Sequence, residues 1–217
     1  MRFSRRLQPS AFPGAPSEKD LAGLGIRAVG YQCEDLLEPL DPVTPDKLLL
    51  AAWSLEQFPG GDDVTAFALT ASPETAINFD FYGLPEREPQ YFSDFFLLPL
   101  GGSTKFQIGV TFAARPRLLG ALDRRRELLI LRQTEPQEGV YFNIADNDQP
   151  GGPYSAADLY SVFSGGSLGF FELETIGAMR IESGRVGPCP LVSRTWMARG
   201  PADVLIRLLR DAWGVTL

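Results

Sequence analysis

The stretch that decides the fold, residues 141–179, has the sequence YFNIADNDQPGGPYSAADLYSVFSGGSLGFFELETIGAM. Its first half is polar and rich in the Asn, Asp, Gly and Pro residues that turns require. Its FFELETI part alternates as a half-buried strand does, which places Glu172 and Glu174 on one face. We therefore expect a polar loop that runs directly into a strand carrying two carboxylates, roughly 6–7 Å apart.

Alternating segments recur along the chain and predict an all-β protein. In residues 104–113 apolar and polar side chains alternate, so that Lys105 lies on the polar face of the predicted strand. Residues 76–82 repeat the pattern. Further strands are predicted at residues 26–37, 47–57, 64–70, 92–99, 128–133, 140–145, 168–176 and 192–198. The 22 Gly and 18 Pro, scattered without a period, fit a chain with many turns.

One helix is predicted near the end of the chain, at about residues 201–213. Pro201 suits a first helical turn, Asp203 favours the positive end of the helix dipole, and Gly214 is placed to end the helix. The first 24 residues, with several prolines and arginines, are expected to be a flexible lead-in. Residues 25–217 are then a single β-sandwich domain that ends in this helix.

Composition excludes several classes of partner and of chemistry. A net charge of -7 and a pI near 4.7 disfavour nucleic acid and anionic membrane surfaces. No apolar run is long enough to span a bilayer, and two cysteines make no disulfide framework, so a cytoplasmic location is expected. The absence of histidine removes the commonest proton carrier at neutral pH. We expect no cofactor.

Two groups of polar residues are candidates for a ligand site. If Glu172 and Glu174 face a desolvated cleft, mutual repulsion raises one pKa and creates an acid beside a base; if they face water, they are two solvated carboxylates. Asp146 and Asp148 offer hydrogen bonds to sugar hydroxyls, and Tyr154 offers a stacking surface. The same residue types also serve the backbone of any tight loop.

Two further candidates are an aromatic residue and a metal loop. Trp53 either stacks on a pyranose ring or belongs to the apolar core. Asp146 and Asp148 match the opening of a calcium-binding loop, but Pro150 and Ala157 occupy positions where oxygen ligands belong. We therefore assign no metal ligands, although a looser calcium site stays open.

Short motifs in this chain resemble the C-terminal part of a bacterial family of uncharacterised proteins with the galactose-mutarotase-like, or aldose 1-epimerase-like, β-supersandwich fold. The motifs are LAAWSLEQ at 50–57, PGG at 59–61, TKFQIGV at 104–110, YFN at 141–143, GPY at 152–154 and FELET at 171–175. The resemblance implies an antiparallel β-sandwich that lacks the family's N-terminal strands. A homodimer would cover the sheet edge exposed in this way.

The resemblance also implies a carbohydrate ligand on the polar concave face of the larger sheet. Glu174 or Glu172 would occupy the position of the catalytic base, with Lys105 and Asn143 as polar neighbours. The histidine acid of authentic mutarotases has no counterpart here, so binding is implied more strongly than turnover. The alternatives are an aldose epimerase or other sugar-active enzyme with a glutamate base, and a non-catalytic assembly protein.

Overall fold

The computed structural model describes residues 1–142 and 157–217, and these residues form mostly β-structure. The strands are β1 (Arg2–Pro9), β2 (Arg27–Glu38), β3 (Trp53–Pro59), β4 (Val64–Leu69), β5 (Ile77–Tyr82), β6 (Gln90–Tyr91), β7 (Phe95–Pro99), β8 (Phe106–Thr111), β9 (Leu118–Asp123), β10 (Leu128–Thr134), β11 (Asp158–Ser164), β12 (Phe170–Ile176), β13 (Ile181–Glu182), β14 (Arg185–Val186) and β15 (Cys189–Arg199). The α-helices are α1 (Glu18–Gly23) and α2 (Ala202–Trp213), and short 3-10 turns lie at Pro73–Thr75, Phe112–Ala114 and Gly166–Leu168.

Two sheets contain most of these strands. The larger sheet has eight strands in the order β1-β2-β15-β10-β9-β4-β7-β6, and the smaller has five in the order β3-β12-β11-β8-β5. Strands β13 and β14 form a separate hairpin. Every strand pairing within the described parts of the chain is antiparallel, which confirms the predicted all-β antiparallel sandwich.

The two sheets pack face to face over an apolar core. Alternation along β8 sends Phe106, Ile108 and Val110 into this core, where all three are buried. Leu119 of β9 and Ile130 of β10 belong to the same buried cluster and come from the larger sheet. Full burial of one such side chain stabilises the fold by about 1.5–3 kcal/mol, so this interface holds the sandwich together.

Helix α2 covers the opposite face of the larger sheet. Its buried residues Leu205 and Leu209 join a cluster that includes Trp196 of β15. The helix ends at Gly214, whose φ of 76° is a left-handed conformation that glycine adopts without strain. The predicted helix at about 201–213 is therefore confirmed. Neither helix in the described residues has the length and hydrophobicity needed to cross a membrane.

A buried arginine links the two sheets, and the sequence analysis did not anticipate it. Arg132 of β10 is 0% exposed. Its Nη1 donates hydrogen bonds to the carbonyl oxygens of Ser54, at 3.0 Å, and Leu173, at 2.6 Å. Its Nη2 lies 3.4 Å from Oε1 of Glu56, which also accepts a 2.8 Å hydrogen bond from Thr195. The larger sheet is thereby tied to the backbone of β3 and β12.

The first 24 residues, expected as a flexible lead-in, contain strand β1 and helix α1. Strand β1 pairs along its whole length with β2 at the edge of the larger sheet. Ion pairs between the two strands join Arg2 to Glu38, at 2.7 Å, and Arg5 to Asp35, at 2.6 Å. These partners are far apart in the sequence, so no local pattern in the first 24 residues indicates the strand.

Strand β11 is the largest difference between the predicted and the observed strands. It lies within residues 141–179 and separates the polar loop from β12, where we expected the loop to run directly into the glutamate strand. In the predicted strand at 140–145, Val140 makes only an isolated bridge with Met179. Residues 143–145 lie outside the described parts of the chain.

The other predicted strands are present with shifted ends. Strand β3 begins at Trp53, six residues later than predicted, and β8 ends at Thr111 because Phe112–Ala114 forms a 3-10 turn. Strand β9 was not predicted, and it lies between β10 and β4 in the larger sheet. The positions of β8, β11 and β12 side by side in the smaller sheet decide where the polar side chains meet.

Candidate functional site

The outward face of the five-stranded sheet collects polar side chains from three neighbouring strands. Strand register places Ser161 of β11 opposite Glu174 of β12. Two residues further along β11, Phe163 lies opposite Glu172 on one side and Gln107 of β8 on the other. Because side chains alternate along each strand, these five residues all project away from the sandwich core. We call this surface the acid-pair face.

Glu174 is the most perturbed group on the acid-pair face. It is 1% exposed, and burial is the main reason that its pKa rises from 4.5 to about 7. The nearby charge of Glu172 adds to the rise. Hydrogen bonds with Ser161, Trp53 and Gln107 stabilise the ionised form and so oppose the rise of the pKa. Near neutral pH this carboxyl can both give and accept a proton.

Glu172 is less buried than Glu174, and it shares a hydrogen bond with it. Burial raises the pKa of Glu172, whereas the hydrogen bond to Glu174 and the positive charge of Lys105 lower it. Both carboxyls of the pair therefore have raised pKa values, and Glu174 is the more strongly perturbed. Mutual repulsion was the expected cause of a raised pKa, whereas burial is the largest cause for both glutamates.

Gln107 and Ser161 hold the acid pair in place. The Nε2 group of Gln107 donates to Ser161 Oγ at 3.1 Å and to Glu174 Oε2 at 3.2 Å. The Ser161 Oγ also lies 2.9 Å from the carbonyl oxygen of Ile108, so this carbonyl and Glu174 are alternative acceptors for its single proton. Both polar side chains are buried, so their hydrogen bonds fix the Glu174 carboxyl on the sheet.

A second buried polar pair lies beside the first on the same sheet. The Nδ2 group of Asn78 donates to Asp158 Oδ2 at 3.0 Å, and both residues are buried. The Asp158 carboxyl lies directly over Gly109, where an added Cβ would come within 2.3 Å of it. Only a glycine at this position leaves room for the carboxylate.

Replacing Gly109 by alanine is expected to destabilise the protein by about 1–3 kcal/mol, because the new methyl group overlaps Asp158 and forces the sheet to shift. Thermal unfolding followed by circular dichroism measures this change. Gly23→Ala is the matched control, since nothing lies within 4 Å of the Cβ added at that helical position. Equal melting temperatures for the two variants would contradict the proposed steric role of Gly109.

Aromatic rings and one lysine border the acid-pair face. The Lys105 Nζ lies 5.1 Å from the ring centre of Tyr82 and 5.3 Å from that of Phe163. Phe163 in turn stacks on Phe170, with ring centres 5.4 Å apart. Tyr82 is 43% exposed and Trp53 is 39% exposed, so both present ring surface to solvent. The face therefore combines buried carboxyls with accessible aromatic surface.

The structure brings four of the eight predicted site residues together on this face. They are Glu172, Glu174, Lys105 and Trp53. The other four predicted residues, Asn143, Asp146, Asp148 and Tyr154, lie outside the described parts of the chain. Trp53 is not a core residue, since it lies opposite Ile176 on the outward face and hydrogen-bonds Glu174.

One predicted location is corrected. We expected the ligand face on the larger sheet, but the glutamates lie on the smaller, five-stranded sheet, because β12 pairs with β11 and β3. Sequence analysis also missed the roles of Asp158 and Ser161. The polar residues of DLYSVFS, residues 158–164, recur at every third position, and a register shift lies between Asp158 and Tyr160, so the two-residue period of a strand is not visible there.

Acidic side chains and thiols are the groups of this chain that could bind a metal ion or act as nucleophiles. Within residues 1–142 and 157–217, no group of three or more Cys, Asp or Glu side chains is arranged to hold a metal ion. Cys33 and Cys189 are both free and buried. Burial raises the pKa of the Cys33 thiol to about 11, which keeps it protonated and unreactive at neutral pH.

Sequence comparisons found no relative, whereas the comparison with solved structures found similar chains. No family model and no curated protein matches the sequence. Among solved structures, the chain is similar to a galactose mutarotase-like protein from Lactobacillus casei ATCC 334, with a TM-score of 0.44 and 10% sequence identity. The similarity covers 90% of this chain and 69% of that chain.

Proposed function

We propose that this protein binds a sugar or sugar-like ligand on the acid-pair face. The observation that carries the proposal is the pair of buried Glu174 and partly buried Glu172, which lies beside Lys105 and next to the exposed rings of Tyr82 and Trp53. Ligand sites in proteins commonly combine a few fixed polar groups with aromatic surface.

Each part of this face matches one part of a sugar. Carboxyl oxygens accept hydrogen bonds from hydroxyl groups, and the lysine ammonium donates hydrogen bonds to hydroxyl oxygens. The flat apolar faces of a pyranose ring pack against aromatic side chains such as Trp53. Because Glu174 and Gln107 are already held by hydrogen bonds, little side-chain order is lost when a ligand binds.

Isothermal titration against a panel of neutral, acidic and amino monosaccharides tests the proposal. We expect heat of binding for at least one sugar, and a loss of that heat in Glu172→Gln, because its carboxylate would contact the ligand directly. Glu127→Gln is the matched control, since Glu127 is exposed on the turn between β9 and β10. Absence of heat with every sugar, from protein that is folded by circular dichroism, would contradict sugar binding.

A second candidate function is an aldose epimerase or another sugar-active enzyme with Glu174 as the proton carrier. The raised pKa of Glu174, about 7, favours this candidate, because a general acid or base works best when its pKa is near the working pH. Polarimetry of freshly dissolved α-anomers measures the interconversion. An enzyme requires a rate above the uncatalysed one that depends on pH near 7 and disappears in Glu174→Gln.

A further inference from the structure

A single surface carboxylate fastens two loops beside the acid-pair face. Glu86 lies in the loop that follows β5, and its Oε1 accepts hydrogen bonds from the loop that precedes β8. The donors are the backbone N–H groups of Ser103 at 2.8 Å and Thr104 at 2.7 Å, together with the hydroxyls of Ser103 at 3.0 Å and Thr104 at 2.7 Å. These bonds, led by that of the Thr104 hydroxyl, lower the pKa of Glu86 to about 2.

The two loops also meet at closely packed glycines. Gly83 has a φ of 67°, and a Cβ there would lie 2.3 Å from the carbonyl oxygen of Lys105. Gly102 has a φ of 108°, and a Cβ there would lie 2.5 Å from Glu86 Oε2. The backbone of each loop therefore approaches the other as only glycine permits, and Glu86 fills the space left between them.

The fastened loops carry two residues of the site wall. Tyr82 is the last residue of β5, and Lys105 immediately precedes β8. The Lys105 ammonium lies over the rings of Tyr82 and Phe163, and its charge acts on Glu172. A lysine side chain is long and flexible, so its place beside Glu172 depends on where its backbone is held.

We propose that Glu86 is a positioning residue, whose carboxylate fixes the turn at Ser103 and Thr104 and so holds the Lys105 ammonium against Tyr82 and Phe163. Glu86 lies outside the acid pair and acts through Lys105. The effect of Glu86 on sugar affinity rests on the proposed function, whereas its effect on the titration of the acid pair does not.

The decisive experiment is an NMR titration of the Glu172 and Glu174 carboxyl carbons in the full chain. Because Lys105 lowers the pKa of Glu172, Glu86→Ala is expected to raise that pKa as the ammonium moves away. Lys105→Met should raise it in the same direction, and adding Glu86→Ala to Lys105→Met should change nothing further. Glu88→Ala, an exposed residue of the same loop, is the matched control and should leave both titrations unchanged.

Two results would overturn the proposal. One is a Glu172 titration in Glu86→Ala that equals the wild-type titration. The other is that Glu86→Ala shifts the pKa of Glu172 by the same amount in the Lys105→Met protein as in the wild type. That result would mean that Glu86 acts without Lys105. If Glu86→Ala does not fold, the double variant Ser103→Ala, Thr104→Val removes two of the four donors and gives the same test.

Ligand affinity provides a separate measurement. For any monosaccharide that the wild type binds, Glu86→Ala and Lys105→Met should weaken binding by the same factor, up to about tenfold, which corresponds to about 1.4 kcal/mol. Unequal factors would contradict the route through Lys105. If the wild type binds no sugar, the proposed function fails, and the carboxyl titration still decides the role of Glu86.

Discussion

Replacing Arg132 by methionine is expected to destabilise the protein by about 3 kcal/mol, because removal of the buried guanidinium leaves the partly buried carboxylate of Glu56 without its ion partner. Arg132 is 0% exposed, and its loss also removes the donors that reach the carbonyl oxygens of Ser54 and Leu173. Urea unfolding, with the midpoint and slope compared between variants, measures the change.

Two controls identify the cause of that destabilisation. Arg124→Met, on the exposed turn after β9, should stay within about 0.5 kcal/mol of wild type. Adding Glu56→Gln to Arg132→Met should recover part of the lost stability, since the side chain at position 56 then carries no charge that needs an ion partner. An Arg132→Met protein as stable as the Arg124→Met protein would show that the buried guanidinium does not hold the sheets together.

Glu174 should make folding stability depend on pH, and Glu174→Gln should remove that dependence. The pKa of Glu174 is raised from 4.5 to about 7 in the folded chain, so between these values the folded state binds the proton more strongly than the unfolded state. Stability from this group is fully present below about pH 4.5 and is lost as the pH rises towards 7. The loss amounts to about 3 kcal/mol.

The difference in unfolding free energy between wild type and Glu174→Gln separates the effect of Glu174 from that of groups whose titration is the same in both proteins. Glu174→Gln should be more stable than wild type at about pH 8, where the buried carboxylate must ionise, and this advantage should shrink or reverse at about pH 5. Urea unfolding at both pH values measures it, with Glu127→Gln as the control. A stability difference that is equal at the two pH values would mean that Glu174 titrates normally.

Much of the fold follows from local patterns. The alternation of residues 104–112 and the apolar stripe of residues 201–213 arise from the geometry of a strand and a helix, so sequence alone predicts β8 and α2. Strand β1 forms by pairing with β2, a distant part of the chain, and this pairing places Arg5 beside Asp35. Strand β11 is buried along its whole length although it carries Asp158 and two serines. Local patterns do not reveal either strand.

Part of the candidate site follows from local sequence patterns, and the rest follows from long-range strand pairing. The period of two residues places Glu172 and Glu174 on one face whatever the rest of the chain does. Burial is the main cause of the raised pKa of Glu174, and two of the hydrogen bonds that oppose the rise come from Gln107 and Ser161, which belong to other strands. Only the register of β8 and β11 brings these side chains together, and that register is set by long-range pairing.

Strands β8, β11 and β12 are the three middle strands of the smaller sheet, and this has a consequence for protein engineering. On each strand the residues that build the sandwich and those that build the outer surface occupy alternate positions. Outward side chains such as Glu172 and Gln107 can therefore be exchanged while Phe106 and Leu173 remain in the core behind them. The outer surface of the smaller sheet can therefore be varied independently of the core.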